Sequence, residues 1–121
     1  MMVRLLSDPS VNSMGLSRGM DHVVLEIYCH PRDGVNYYRV EPRRGGAPGL
    51  HDSRKFEITS NSIPKFWVVD DEGSGTLCFT PEAWNVTGFW EAYFDDEEWA
   101  VQRYFRWRDE MLKELPESMQ Y

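Results

Sequence analysis

The chain has 121 residues, enough to fold as one domain around one core of ordinary size. Hydrophobic residues at 41% and charged residues at 27% exclude wholesale disorder. A net charge of −7 argues against direct binding to nucleic acid, where affinity comes from Lys and Arg neutralising phosphates.

The charge is unevenly spread. From Asp70 onward thirteen acids face four cations, whereas residues 1–69 carry seven acids and nine cations. The acidic half also holds Trp84, Trp90, Trp99 and Trp107, leaving only Trp67 outside it. Acids interleaved with large rings suit a surface that grips a basic protein. The longest apolar runs, such as residues 66–69, are only a few residues long. A membrane-spanning helix needs about 20, so none is expected.

At the start, the apolar stretch of Met1 to Leu6 stops at Ser7, Asp8 and Pro9. That is shorter than the about 7–15 residues of an export signal's apolar region. Without export, Asn85-Val86-Thr87 is not expected to carry a glycan. Cys29 and Cys78 are too few for a disulfide framework and point to thiols in a reducing cytoplasm. Residues 1–19, rich in Ser, Gly, Met and Asn and without periodicity, are expected to form a flexible arm. The domain proper is expected over 20–121, with Met20 as a second candidate start.

Residues 22–29 are dense in β-branched and aromatic side chains and predict a strand. Pro31-Arg32-Asp33-Gly34 predicts a turn, Asp-Gly supplying the positive φ a hairpin requires, and residues 35–40 are the return strand. Residues 42–49, with two Pro, three Gly and the pair Arg43-Arg44, predict a basic loop. Further strands are predicted over 55–59, 65–69 and 76–79, with a flexible turn over 70–75. About five strands in an antiparallel meander result.

After Phe79 the period changes. Thr80-Pro81-Glu82 predicts a short helical turn, and Thr87 offers another start. The strongest start is Asp95 as N-cap with Glu98 three residues on, a capping box. Val101, Tyr104, Phe105, Arg108, Met111, Leu112 and Leu115 then recur at helical spacing up to Pro116. Trp90 and Phe94 continue the stripe backward. The expected architecture is α+β: a small antiparallel sheet packed against a long C-terminal helix.

No motif identifies a reaction. His22, Cys29, His30, His51, Asp52 and Cys78 show no paired metal-ligand spacing, so no metal is expected. A dyad of Cys29 or Cys78 with a histidine is conceivable chemistry, yet no nucleophile elbow occurs, and Gly73-Ser74-Gly75 lacks its spacing. Residues 45–49 lack the phosphate-loop pattern. Neither enzymatic activity nor a cofactor is expected.

Asp95-Asp96-Glu97-Glu98 exceeds what a helix start needs. One or two acids there gain about 0.3–1 kcal/mol each from the helix dipole, and four in a row repel one another. Alternate-residue calcium spacing is missing. The surplus points to docking on Lys and Arg of a partner. Trp99 and Trp107 fall off the apolar stripe and are candidate anchors. The predicted partner-binding residues are therefore Asp95, Asp96, Glu97, Glu98, Trp99 and Trp107, with Asp70, Asp71 and Glu72 as a second patch. In size, charge and lack of motif the chain resembles bacterial immunity proteins and phage-encoded inhibitors of defence complexes, including anti-CRISPR proteins. No residue pattern accompanies that resemblance, so no family residue roles transfer. It implies a stoichiometric inhibitor that occludes a basic, nucleic-acid-directed protein. The alternative is a structural or adaptor subunit whose Trp-rich face oligomerises.

Overall fold

A computed structural model describes residues 1–43, 45–73 and 75–115. Arg44, Ser74 and Pro116, named above in the basic loop, the glycine turn and the helix stop, lie outside the described residues. The antiparallel sheet has seven strands: β1 (Met2–Leu5), β2 (His22–His30), β3 (Val35–Val40), β4 (Gly49–Asp52), β5 (Phe56–Ser60), β6 (Trp67–Gly73) and β7 (Thr76–Pro81). A single-turn helix at Glu82–Trp84 leads to α1 (Phe89–Phe94) and α2 (Glu98–Lys113). The α+β class holds, with two strands more than the meander expected.

The β2–β3 hairpin forms where Asp-Gly predicted it, with Gly34 at φ +67°. β4 extends it beyond β3. The other edge of β2 is shared. β1 pairs with its start through Met2 and Val3, and β7 with its later half through Phe79, Cys78 and Leu77. β5 hangs from β1 and β6 from β7.

This sharing corrects the expectation of a flexible arm. Met2, Val3 and Leu5 are buried, and β1 lies between β2 and β5. Residues that follow are tied down as well: Arg18 donates to the carbonyls of Leu6, Asp8 and Val11, and Leu16 is buried. The expected turn over 70–75 is corrected too. Asp70 and Asp71 belong to β6, and the reversal is confined to the region around Gly73 and Gly75, both at positive φ.

The sheet separates two apolar clusters. On one face Met2, Val23 and Leu25 pack against Trp84, Phe89, Tyr104, Met111, Leu112 and Leu115, which come from the helical half. On the other, Val3, Leu5, Val24, Val40 and Phe56 are covered by Leu16 and Val11 of the amino-terminal segment. α2 therefore buries the stripe that its periodicity predicted, through Tyr104, Arg108, Met111 and Leu112.

A bulge in β2 decides what lies between the layers. Val24 pairs with Val40 and Glu26 with Arg39, leaving Leu25 as an extra residue. Leu25 and Glu26 consequently both face the helices, whereas Val24 and Ile27 face the opposite cluster. Without the bulge, strict alternation would put Glu26 on the face of Val24.

Two measurements check this architecture. Leu5→Ala is expected to lower the unfolding free energy by about 2–5 kcal/mol in urea titrations, as for a core position; a residue in a loose arm would change it by less than about 0.5 kcal/mol. The second concerns His51, a buried imidazole held below its ordinary value of 6.5, first by burial and then by Lys55 and His22. Below that value the unfolded chain accepts a proton that the folded chain refuses. Stability is thus expected to fall as pH drops from about 7 to about 5.5, and His51→Phe should flatten that fall.

Candidate functional site

The polar groups of the interlayer converge on two carboxylates, Glu26 in β2 and Glu41 directly after β3. Glu26 is 2% exposed and accepts from four side chains. Arg39 Nε lies 2.8 Å and Trp90 Nε1 3.0 Å from Oε1, Tyr28 Oη donates to the same oxygen at 3.1 Å, and Thr80 Oγ1 donates to Oε2 at 2.6 Å. The Arg39 guanidinium stands 4.0 Å over the Trp90 ring and also donates to the Pro48 carbonyl. Farther along, Glu41 accepts from Tyr104 Oη and, at 3.3 Å, from Arg108 Nη1. Each carboxylate thus joins the sheet to one helix, Glu26 to α1 and Glu41 to α2.

Beside Glu26 a cleft of about 620 Å³ opens between the β6–β7 hairpin and α1. Glu26, Tyr28 and Arg39 line it together with Asp70, Glu72, Trp90 and Glu91. Glu72 is held above the ordinary carboxylate range, first by partial burial and next by the charge of Asp70, with Glu26 and Asp71 adding to it. Among the described residues Asp70, Glu72 and Glu91 form no salt bridge. The structure therefore splits the second predicted patch: Asp70 and Glu72 line the cleft, and Asp71, between them in an extended strand, does not.

The first predicted patch forms the corner between α1 and α2. The expected capping box is absent. Asp95 is the C-cap of α1, Asp96 follows at φ +58°, and Glu97 is the N-cap of α2 without a capping side-chain bond. Glu97 N donates to Ala92 O and Asp96 N to Tyr93 O, the paired bonds of a Schellman stop. Glycine normally takes the left-handed position that Asp96 occupies. This stop also ends the backward extension of the helix. Trp90 and Phe94 sit on a separate six-residue helix.

The carboxylates of Asp95, Asp96 and Glu97 are exposed and form no salt bridge among the described residues, while Glu98 accepts from Gln102. Phe94 is 50% and Trp99 40% exposed beside them. Trp99 packs edge-on to Phe89, with the Arg103 guanidinium 5.0 Å over its ring. Trp107 is placed differently. It is half-buried against Phe66, at 5.2 Å, and lies eight residues or about 12 Å along the helix from Trp99. Trp84 is buried and bonded to the Arg103 carbonyl, and Trp90 is committed to Glu26. The indoles of the acidic half thus mainly build the core, and Trp99 is the one among the large exposed apolar residues.

The thiols offer little nucleophilicity. Cys78 is buried beside Tyr28 and Glu26, and burial first, then the Glu26 charge, pushes its thiol far above the ordinary range. Burial also raises Cys29. A thiol so shifted is protonated near neutral pH. Cys29 opens onto the sheet's other face with Ile27 and Trp67, whereas His30 meets Thr76 Oγ1 and His51 packs against Phe56. No three His, Cys, Asp or Glu residues among those described are grouped to hold a metal ion. No helix among them is long and apolar enough to cross a membrane.

Sequence reasoning missed Glu26, Arg39, Thr80 and Glu41. The available signal was a charged residue inside a run dense in β-branched and aromatic side chains, at Glu26 within β2 and at Arg39 within β3. Comparison with protein-family models, curated proteins and solved structures gives no match.

Two stability measurements follow. Glu26→Ala should cost about 3–5 kcal/mol, because Arg39 is then buried without its counter-charge. Replacing the pair together, Glu26→Leu with Arg39→Met, should cost less than the two single changes combined. Asp96→Gly relieves a left-handed strain of about 1–2 kcal/mol at most and adds about 0.4–1 kcal/mol of unfolded-chain freedom. The variant should therefore be as stable as the wild type or gain up to about 1.5 kcal/mol, read from the urea midpoint.

Proposed function

We propose that this protein is a small acidic inhibitor that binds a basic surface of another protein and occludes it, in the manner of toxin-immunity or phage anti-defence proteins. One observation carries the proposal. Asp95, Asp96 and Glu97 sit on a hydrogen-bonded helix corner, in no salt bridge among the described residues, with Phe94 and Trp99 exposed beside them. A fold that places an acid where glycine fits best, and makes no capping hydrogen bond with these carboxylates, retains more charge there than the helix dipole accounts for.

Uncompensated acids raise the rate of encounter with a basic surface, and a bulky ring then supplies the contact that slows release. The same acids repel phosphate and anionic lipid, so neither nucleic acid nor membrane is a proposed partner. A nuclease or nucleic-acid-directed complex is the natural target, since its working surface is basic. Action by occlusion needs neither a reacting group nor a cofactor, and none is proposed. Two unpaired thiols fit a reducing compartment, the cytoplasm. The second reading, an adaptor subunit, would use the same exposed Phe94 and Trp99 for self-association; a stable dimer in light scattering with Trp99 at its contact would select it.

The test begins with capture of the partner from the native host and continues with binding kinetics on the purified pair. The association rate should fall steeply as ionic strength rises to about 0.15 M, where the screening length is about 8 Å. Asp96→Lys with Glu97→Lys should slow association about tenfold or more and leave dissociation nearly unchanged. Trp99→Ala should mainly speed dissociation, by about thirtyfold if it is a hot spot worth 2 kcal/mol. An association rate indifferent to salt and to charge reversal would overturn the proposal.

A further inference from the structure

The cleft beside Glu26 combines three features that no packing role explains together. It is a concavity of about 620 Å³, within the about 300–1,000 Å³ range of pockets that accept ligands. Its floor is pre-organised, because Glu26, Tyr28, Thr80 and Trp90 are locked by mutual hydrogen bonds. Its walls are unbalanced: Arg39, the cation in the lining, is engaged by Glu26, and Asp70, Glu72 and Glu91 form no salt bridge among the described residues.

The interior already shows what this lining accommodates. The Arg39 guanidinium is bonded edge-on to a carboxylate at 2.8 Å and stacked 4.0 Å above the Trp90 indole. A second guanidinium entering from solvent meets the same chemistry, carboxylates on one side and the ring-lined wall of α1 on the other. An anion meets three carboxylates and is excluded. An apolar group would strand them without water. We propose that the cleft seats one arginine side chain projected by the basic partner, with Asp70 and Glu72 of β6 and Glu91 of α1 as its counter-charges. This rests on the reading that the partner is a basic protein, and it adds the position at which a single residue of that partner is read. Glu72 is raised first by burial and only then by the charge of Asp70 and a hydrogen bond with it, and an arriving cation offsets the Asp70 charge alone.

The experiment uses the full chain and a small probe. L-Argininamide is titrated into isotopically labelled protein and followed by NMR, with the neutral isostere L-citrullinamide as control. Saturable shifts are expected at the Trp90 indole N–H and at the amides of Asp70, Glu72 and Cys78, and citrullinamide should leave them unmoved. Asp70→Asn with Glu72→Gln should weaken the argininamide midpoint about fivefold or more. Glu72→Gln alone, whose side chain is exposed, supplies a variant with its fold intact. Unsaturable shifts, equal response to citrullinamide, or shifts centred on residues 95–99 would each overturn the assignment. The two proposals fail separately. A partner that binds the wild type and the double variant equally overturns the cleft alone. Argininamide binding with no basic partner overturns the inhibitor, and with it the partner's arginine as the occupant, while the guanidinium specificity of the cleft stands.

Discussion

Burying the Glu26 carboxylate is the constraint around which this domain is organised. An ion moved out of water costs several kcal/mol unless every lone pair finds a donor. Here the donors come from four elements: Tyr28 of β2, Arg39 of β3, Thr80 of β7 and Trp90 of α1. The charge can be accommodated only when the hairpin, the β6–β7 arm and the first helix are all in place. Apolar contacts alone tolerate many arrangements of sheet and helix. A carboxylate with fixed partners tolerates few, and Glu41 repeats the demand for α2 through Tyr104 and Arg108. The bulge at Leu25 turns Glu26 toward these donors, so one irregular residue in β2 sets the chemistry of the whole interlayer.

Two kinds of acid therefore coexist in the chain. Glu26 and Glu41 are structural and saturated with donors. The acids of the α1–α2 corner and the cleft walls face solvent without arginine partners among the described residues. Arginine follows the same division. Arg39 and Arg108 serve the buried acids, while Arg103 lies over Trp99 and donates to the Ala83 carbonyl. Other surface acids, Asp21, Asp52, Asp109 and Glu110, do have cationic partners, unlike those of the corner and the cleft walls among the described residues.

Much of this fold could be read from residue order. The β2–β3 hairpin announced itself through Asp33-Gly34 and two β-rich runs, and the buried face of α2 through its helical spacing. What escaped has physical reasons. β1 is four residues long and gains its stability from β2 and β5, whose residues lie far along the chain, so local pattern shows only an apolar start. β4 is equally short. The bulge breaks the two-residue alternation on which facing is inferred. Asp95 and Glu98 have the spacing of a capping box, but a local Schellman stop, with Asp96 in the left-handed position where glycine is the usual signal, makes Asp95 the C-cap of α1 and leaves Glu98 to open α2. The corner acids were legible as surplus charge. Helical spacing already set Trp99 off the stripe and Trp90 on it; Trp107 escaped, because it lies off the stripe and is still covered by Phe66, a residue distant in sequence.

The order in which the strands are made adds a consequence for biogenesis. Glu26 and Glu41 emerge from the ribosome early, and Trp90, Tyr104 and Arg108 emerge some fifty or more residues later. Until then the two carboxylates lack the partners that let them be buried. Vectorial synthesis cannot finish the amino-terminal portion in advance. The full donor sets of Glu26 and Glu41 exist only once the carboxyl-terminal third of the chain has been made.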